Sequence, residues 1–321
     1  MHYDVFNGDA DGILSLVQLR KYEPKSSTLI TGVKRDIQLL TKVAAKRDVS
    51  GVTALDISME KNLDALHQLI DKEIPIFYCD HHRTGEVPQA DNFTALICLD
   101  AQTCTSLLIN KHIGGHHVYW AIAGAFGDNL NVQAKALALQ HGLQTDQIEF
   151  LKELGVLINY NAYGSDLSDL HIDPAELFVQ LIQYDSPFDL QGDSNSPYFL
   201  LKQGYENDAG YLDSLVPEFN GPEAEVYLLP CEAWARRISG VFSNQLANQS
   251  PSKAHAVLTL NANGEDYTVS VRAPLENCTG ADEVCSQFAT GGGRKAAAGI
   301  NQLPIFEVEN FVQALNQFYK K

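Results

Sequence analysis

The sequence predicts an α/β protein of two domains: an N-terminal, mostly parallel, doubly wound sheet and a smaller C-terminal α+β domain. Three observations predict this. Residues 1–130 alternate short β-rich runs with stretches of helical periodicity, the pattern of strands joined by crossover helices. From Asp185 to about Pro222 the chain is rich in Ser, Pro, Gly, Asn and Asp, which marks a linker. Beyond it, Asn263-Gly264 separates two alternating runs, a hairpin signal that belongs to an antiparallel sheet. A length of 321 residues also suits two cores better than one. The expected boundaries are 1–188 for the first domain, 189–222 for the linker and 223–321 for the second.

Taken in order, MHYDVF reads as a strand, NGDADG as a loop and ILSLVQLRKY as a helix. GVTALDI is a second strand, KNLDALHQLIDK a helix with apolar residues at helical spacing, and IPIFYC a third strand. TCTSLLINKHI is expected to be helical with a Thr or Ser capping its start. VYWAIAGAFGDN is a further apolar run, read as another strand ending in Gly-Asp-Asn. Residues 133–185 read as mainly helical, with amphipathic stretches around 147–158 and 174–184, and some helix is expected near 208–216. In the C-terminal domain a hairpin over AHAVLTLNANGEDYTVSVRAP precedes a helix at about 281–289. The loop TGGGRKAAAG, a short strand and a terminal helix at 307–319 follow.

Hydrophobic residues make up 45% and charged residues 20%, an ordinary globular balance that excludes wholesale disorder. The longest apolar stretches, near 118–126 and 154–158, are too short to span a bilayer, so no membrane partner is expected. Acidic residues stand at the N-terminus where a signal peptide needs a basic and then an apolar run, so a cytoplasmic location is expected. The six cysteines show no C-x-x-C pair, which favours free thiols over zinc or disulfide structure. A formal net charge of −17 disfavours binding of long nucleic acid, while leaving room for a local basic patch. A short anionic substrate held by metals and a few arginines fits this balance better. The composition leaves a homodimer open.

The apolar runs end in acids or histidines. Asp9 and Asp11 sit two apart in a Gly-flanked loop after the first run, and two such carboxylates on a turn repel unless a cation lies between them. Asp56 ends GVTALD, Asp80-His81-His82 ends IPIFYC, and Asp128 closes VYWAIAGAFG. A carboxylate beside two neutral imidazoles suits Mn²⁺, Zn²⁺ or a similar first-row ion. Each acid alone has a bland explanation, a solvated turn or a helix cap. Four at successive run ends point to one crevice, because parallel sheets bind ligands at the carboxyl ends of their strands. His112, His116 and His117 cluster around Gly114-Gly115 without an acid partner in register and read as solvated loop residues.

NGDADG, LDIS, CDHHRTG and GAFGDN resemble, in order, the four motifs of the Asp-His-His (DHH) phosphoesterases. That superfamily spans RecJ-type exonucleases, oligoribonucleases that also cleave 3′-phosphoadenosine 5′-phosphate, cyclic-dinucleotide phosphodiesterases, exopolyphosphatases and family II pyrophosphatases. SVRAP followed by ADEVCSQFATGGGRKAAAG is similar to the DHHA1 accessory domain of the nuclease and phosphodiesterase branch. The resemblance implies two divalent ions, Mn²⁺ foremost with Mg²⁺ or another first-row ion as alternatives. Asp9 and Asp56 would hold one; Asp11, Asp56, His81 and Asp128 would hold the other. It further implies His82 near the substrate phosphate as a charge stabiliser or proton donor, and Asp80 as the group that orients the histidines. In the second domain, Arg272 and the loop Gly291-Gly292-Gly293-Arg294 would grip phosphate.

Two departures from the family pattern stand out. Members place His or Asp where this chain has Asn7, a poorer ligand for a transition metal. They continue Gly-Gly-Gly with His where this chain has Arg294, which retains a cation able to fork onto phosphate. The expected function is metal-dependent hydrolysis of a phosphodiester or phosphomonoester in a short nucleotide, an oligoribonucleotide or 3′-phosphoadenosine 5′-phosphate. The alternatives are a polyphosphate or pyrophosphate hydrolase, or a nucleotide-binding module whose metal site has decayed.

Overall fold

The structure is a computed structural model in which residues 1–320 are described. The chain divides into two compact units, Met1–Gly204 and Tyr205–Lys321, at a point inside the segment that reads as a linker.

The first unit begins with β1 (His2–Phe6), α1 (Ala10–Tyr22), β2 (Thr28–Ile30), α2 (Leu40–Ala44) and β3 (Gly51–Leu55). It continues with α3 (Leu63–Asp71), β4 (Ile76–Asp80), β5 (Phe93–Ile97), α4 (Thr105–His112) and α5 (Val118–Gly127). The helices α6 (Asn131–Gln140), α7 (Thr145–Asn161), α8 (Pro174–Leu181) and α9 (Pro197–Ala209) follow. The strands form one parallel sheet in the order β2-β1-β3-β4-β5. Every residue of β3 is buried, as a central parallel strand covered on both faces requires. One face packs Tyr3, Val5, Val52, Ala54 and Tyr78 against Leu40 and Val43 of α2 and Leu66 and Leu69 of α3. On the opposite side α1 packs against α4, α5, α7 and α8, and the rings of Phe6 and Phe178 meet at 6.0 Å. The sheet is thus doubly wound, as the alternation of runs predicts. The strand order reverses between β1 and β3, which places the crevice of such a sheet at the carboxyl ends of those two strands.

A buried ion pair fixes α1 to β1. Arg20 donates from Nε to Asp4 Oδ2 at 2.8 Å and from Nη2 to Asp4 Oδ1 at 2.5 Å, while Ser27 Oγ donates to Asp4 Oδ2 at 2.6 Å. Burial pushes the Asp4 carboxyl up, but the bonds from Arg20, His2 and Ser27 outweigh it and hold the group down to about 2.

The structure corrects four readings. VYWAIAGAFG is the helix α5, not a strand; the run spans ten residues, nine of them buried, and Ala and Gly let it pack on nearly all sides. Asp128 therefore ends a helix. The helix α4 has no capping side chain from its own Thr or Ser at the N-cap, which is Cys104; its cap comes from elsewhere. The segment 189–222 holds its helix earlier than the expected 208–216: it contains most of a 3₁₀ turn at Pro187–Gly192 and all of α9. Finally, the short strands β2 and β5 escaped the sequence reading, because three and five residues with partly exposed side chains carry little periodicity.

The second unit holds β6 (Phe219–Asn220), β7 (Ala224–Leu229), α10 (Ala233–Gln249), β8 (Ala254–Leu260), β9 (Asp266–Arg272), α11 (Ala281–Cys285), β10 (Gly291–Gly293), β11 (Ala297–Pro304) and α12 (Val308–Tyr319). Its sheet runs β10-β11-β9-β8-β7-β6, with β7 and β8 parallel and every other pair antiparallel. The β8–β9 hairpin turns at Asn263-Gly264 as predicted, with Gly264 at φ +67°. Ala256, Leu258, Val269, Val271, Ile300, Phe311 and Leu315 form the centre of its core. All six cysteines are free. Among the described residues, no helix is long and apolar enough to cross a membrane.

Candidate metal centre

The loop after β1, the turns after β3 and β4, the start of α4 and the end of α5 meet at one point of the first unit. His81 stands at its centre. Its Nε2 lies 3.4 Å from Asp56 Oδ1, 3.8 Å from Asp11 Oδ2 and 3.9 Å from Asp128 Oδ2. Its Nδ1 lies 3.0 Å from the Thr103 carbonyl, which can only accept, so Nδ1 carries the proton. In the neutral ring, Nε2 therefore turns its lone pair toward three carboxylates. Those are four electron-rich acceptors in one buried space, and a shared cation is what reconciles them.

The carboxylates reach that point by separate means. Asp56 follows β3 with a left-handed backbone, φ +58°, that aspartate tolerates better than most residues. Its amide donates to Cys79 O at 3.0 Å, and Tyr78 Oη donates to Ile57 O at 2.7 Å, so the turn is tied to β4. Burial, then Asp11, Asp9, Asp80 and Asp128, push the Asp56 carboxyl well above its ordinary range. Like charges crowd this site as the chain stands. Asp11, in the first turn of α1, accepts the Thr105 and Ser106 amides at 2.8 and 2.7 Å and so supplies the cap that α4 lacks. Asp128 can come close because Gly127 has no side chain: a Cβ there would lie 2.3 Å from the Ala10 Cβ.

His82 Nδ1 lies 2.7 Å from Asp80 Oδ1 and 3.8 Å from Asp56 Oδ1. Asp80 is fully buried, and its Oδ2 has no hydrogen-bond partner among the described residues. Asp80 thus fixes one ring nitrogen of His82. One donor atom each from Asp56, His81 and His82 falls within 4.8 Å of the others, a spacing that fits a bound cation.

Asp9 borders this pole, close enough to Asp56 for the two carboxyls to act on each other, and has partners of its own. Its Oδ1 accepts the Gly12 amide at 3.0 Å, and its Oδ2 accepts the Lys34 ammonium at 2.5 Å. Burial pushes the Asp9 carboxyl up, yet Lys34 outweighs it and brings the group down to about 2. Burial likewise works against the Lys34 charge, but Asp9 holds it firmly protonated. Asn7 binds backbone on both ends of its amide: Oδ1 accepts from Asp9 N at 3.2 Å and Nδ2 donates to Lys34 O at 3.3 Å. Sequence reasoning missed Lys34. Its only signal was a lysine after a Gly in TGVKRD, which has no spacing relation to the acids.

In the second unit, Gly291–Gly293 form an edge strand, not the expected loop. A Cβ on Gly291 would meet Cys285 O at 1.7 Å, and Gly293, at φ +148°, pairs with Ala298. Arg294 opens the tight turn into β11, exchanging backbone hydrogen bonds with Ala297 at 2.9 and 3.2 Å. Arg272 pairs across β9–β11 with Ala297, and its Nε donates to Asn244 Oδ1 at 2.7 Å. Arg272 and Gly291–Arg294 thus gather at one end of neighbouring strands, and Gly292 has open space where a side chain would be.

No family model and no curated protein matches the sequence. Solved structures do match the fold. A DHH-domain protein described as a member of a family of ribosomal proteins aligns with a TM-score of 0.63 at 14% identity, covering 98% of this chain and 85% of that one. An exonuclease RecJ bound to manganese aligns with a TM-score of 0.63 at 14% identity, over 99% and 89% of the two chains. A pGpG-specific phosphodiesterase from Vibrio cholerae aligns with a TM-score of 0.56 at 13% identity, over 99% of both. The fold agrees with these structures, and the protein is one of the DHH-domain fold.

Proposed function

We propose that this protein is a metal-dependent phosphoesterase acting on short nucleotides. The observation that carries the reading is His81 Nε2 facing Asp56, Asp11 and Asp128 within 3.4 to 3.9 Å, with its opposite nitrogen fixed by Thr103 O. Those four side chains would hold a divalent ion, Mn²⁺ or Mg²⁺, as the similar RecJ structures do. Such an ion supplies a hydroxide at neutral pH and stabilises charge on the phosphoryl oxygens. The chain's own residues do the rest. Asp80 holds the His82 Nδ1 proton, so the imidazole keeps one orientation and can stabilise the phosphate or give a proton to the leaving oxygen. Arg272 and the Arg294 turn are the phosphate-binding groups of the second unit, with the backbone at Gly292 open to close approach by a ligand.

Two facts support a short nucleotide as substrate. A net charge of −17 opposes a long polyanion, and one similar structure is a phosphodiesterase specific for pGpG, a dinucleotide. The test is hydrolysis by the Mn²⁺-loaded protein of di- to pentaribonucleotides, pGpG, 3′-phosphoadenosine 5′-phosphate, pyrophosphate and polyphosphate. Turnover of a nucleotide is expected. Activity on polyphosphate or pyrophosphate alone would overturn the substrate class, and bound metal without turnover of any of them would overturn the enzyme reading.

A further inference from the structure

We infer that the Lys34 ammonium is a built-in cation standing where the resemblance puts the first of two metal ions, so that the protein holds one divalent ion per chain, at His81. The inference rests on the metal-centred reading above and refines it. Asp9, the residue that would anchor that first ion, already faces a positive charge: its Oδ2 accepts the Lys34 ammonium, whereas Asp11, also bonded through both oxygens, meets only neutral amides. Asn7, the other residue of that pole, spends its amide on the backbone of Asp9 and Lys34. A divalent ion at Asp9 would have to evict an ammonium fixed from several sides. Lys34 Nζ also donates to Asn159 Oδ1 at 2.9 Å and lies 5.4 Å from the centre of the Tyr163 ring. The Lys34 amide donates to Ala162 O at 2.9 Å. The end of α7, the loop after β1 and the loop bearing Lys34 thus place one positive charge beside Asp9.

The replacement is coherent as chemistry. A His or Asp at position 7 would offer an anionic or imidazole ligand to a metal; an Asn offers only a neutral amide, which here fastens the lysine's backbone. The Asp9–Lys34 pair is neutral by itself, which leaves Asp11, Asp56 and Asp128 to a single ion. Unlike a metal, the ammonium cannot be chelated away, so the Asp9 pole keeps its positive charge at any metal concentration.

The experiment counts ions and reads their coupling. Protein saturated with Mn²⁺ and freed of excess is assayed for manganese per chain and by electron paramagnetic resonance. One ion per chain with the spectrum of an isolated Mn²⁺ is expected. Two ions, or the spectrum of an exchange-coupled pair, would overturn this inference and leave the phosphoesterase reading standing; no bound ion would sink that reading itself. In the metal-free protein, Lys34→Met should lower the melting temperature by several degrees, and Asp9→Asn should suppress that loss in the double variant. Additive effects would show that the pair is not coupled and overturn the inference. Should Lys34→Met fail to fold, the ion count of the Asp9→Asn variant serves: the same count as in the unaltered protein supports the inference, a lower count overturns it.

Discussion

Asp56 brings the chemistry of the site to a single side chain: it is buried, bent into a left-handed backbone, and faces four other carboxylates. Asp56→Asn keeps a residue that tolerates this backbone and removes the charge. Turnover should fall by about a hundredfold or more, at least the effect of losing a group that supports a metal ligand. The metal-free variant should melt no lower than the unaltered protein, because one of several repelling charges is gone; a clear drop in melting temperature would mean that Asp56 is chiefly a structural residue. Arg294→Ala tests the other unit. Its loss should raise KM and leave kcat largely intact, since a phosphate grip equally strong in ground and transition states acts on binding alone. An unchanged KM would remove Arg294 from the substrate's path.

At the scale of elements, the site depends on how closely α5 and α1 approach. Gly127→Val places a side chain where a Cβ would already lie 2.3 Å from that of Ala10 and 2.9 Å from Gly155 O. The helices must separate, which should cost about 1–3 kcal/mol in chemical denaturation and shift Asp128 away from His81. Weaker Mn²⁺ binding, measured by calorimetry, should accompany it. The other tie is Arg20 to Asp4. The Asp4 carboxyl is depressed from 3.8 to about 2, so its contribution is present above the unfolded value and disappears as pH falls toward 2. The shift corresponds to about 2 kcal/mol lost over that acid interval. In Arg20→Met the buried Asp4 has lost its partner, a defect of about 3–5 kcal/mol at neutral pH that should shrink on acidification as Asp4 becomes protonated. Urea titrations at pH 7 and near pH 3 would read the difference.

For the whole molecule, adding Mn²⁺ at about a hundred times its dissociation constant should stabilise the fold by about 2.7 kcal/mol, visible as a higher melting temperature. No shift with any divalent ion would contradict a metal centre. Much of this architecture was legible in the chain. The β1, β3 and β4 runs are apolar, bounded by turn residues and closed by acids, so both the parallel sheet and its ligand-facing edge follow from local pattern. The convergence of Asp56, His81 and Asp128 followed from topology even though Asp128 sits on a helix, since α5 ends at the same edge. What the pattern could not reveal depends on contacts distant along the chain. Asp11 caps a helix more than ninety residues away, and Lys34 is read as an ordinary loop lysine until folding brings Asp9 to it. Gly291–Gly293 looked like a loop because glycine has no strand preference; only pairing with Ala298–Ile300 makes them one.

Asp11's grip on the first amides of α4 bears on how the protein would survive starvation for metal. With its oxygens already anchored to a helix end, that carboxylate does not need an ion to hold it in place, and neither does Asp9 beside its lysine. A stripped molecule should therefore remain shaped for its ion, and inactivation by a chelator should reverse on adding metal back without a refolding lag.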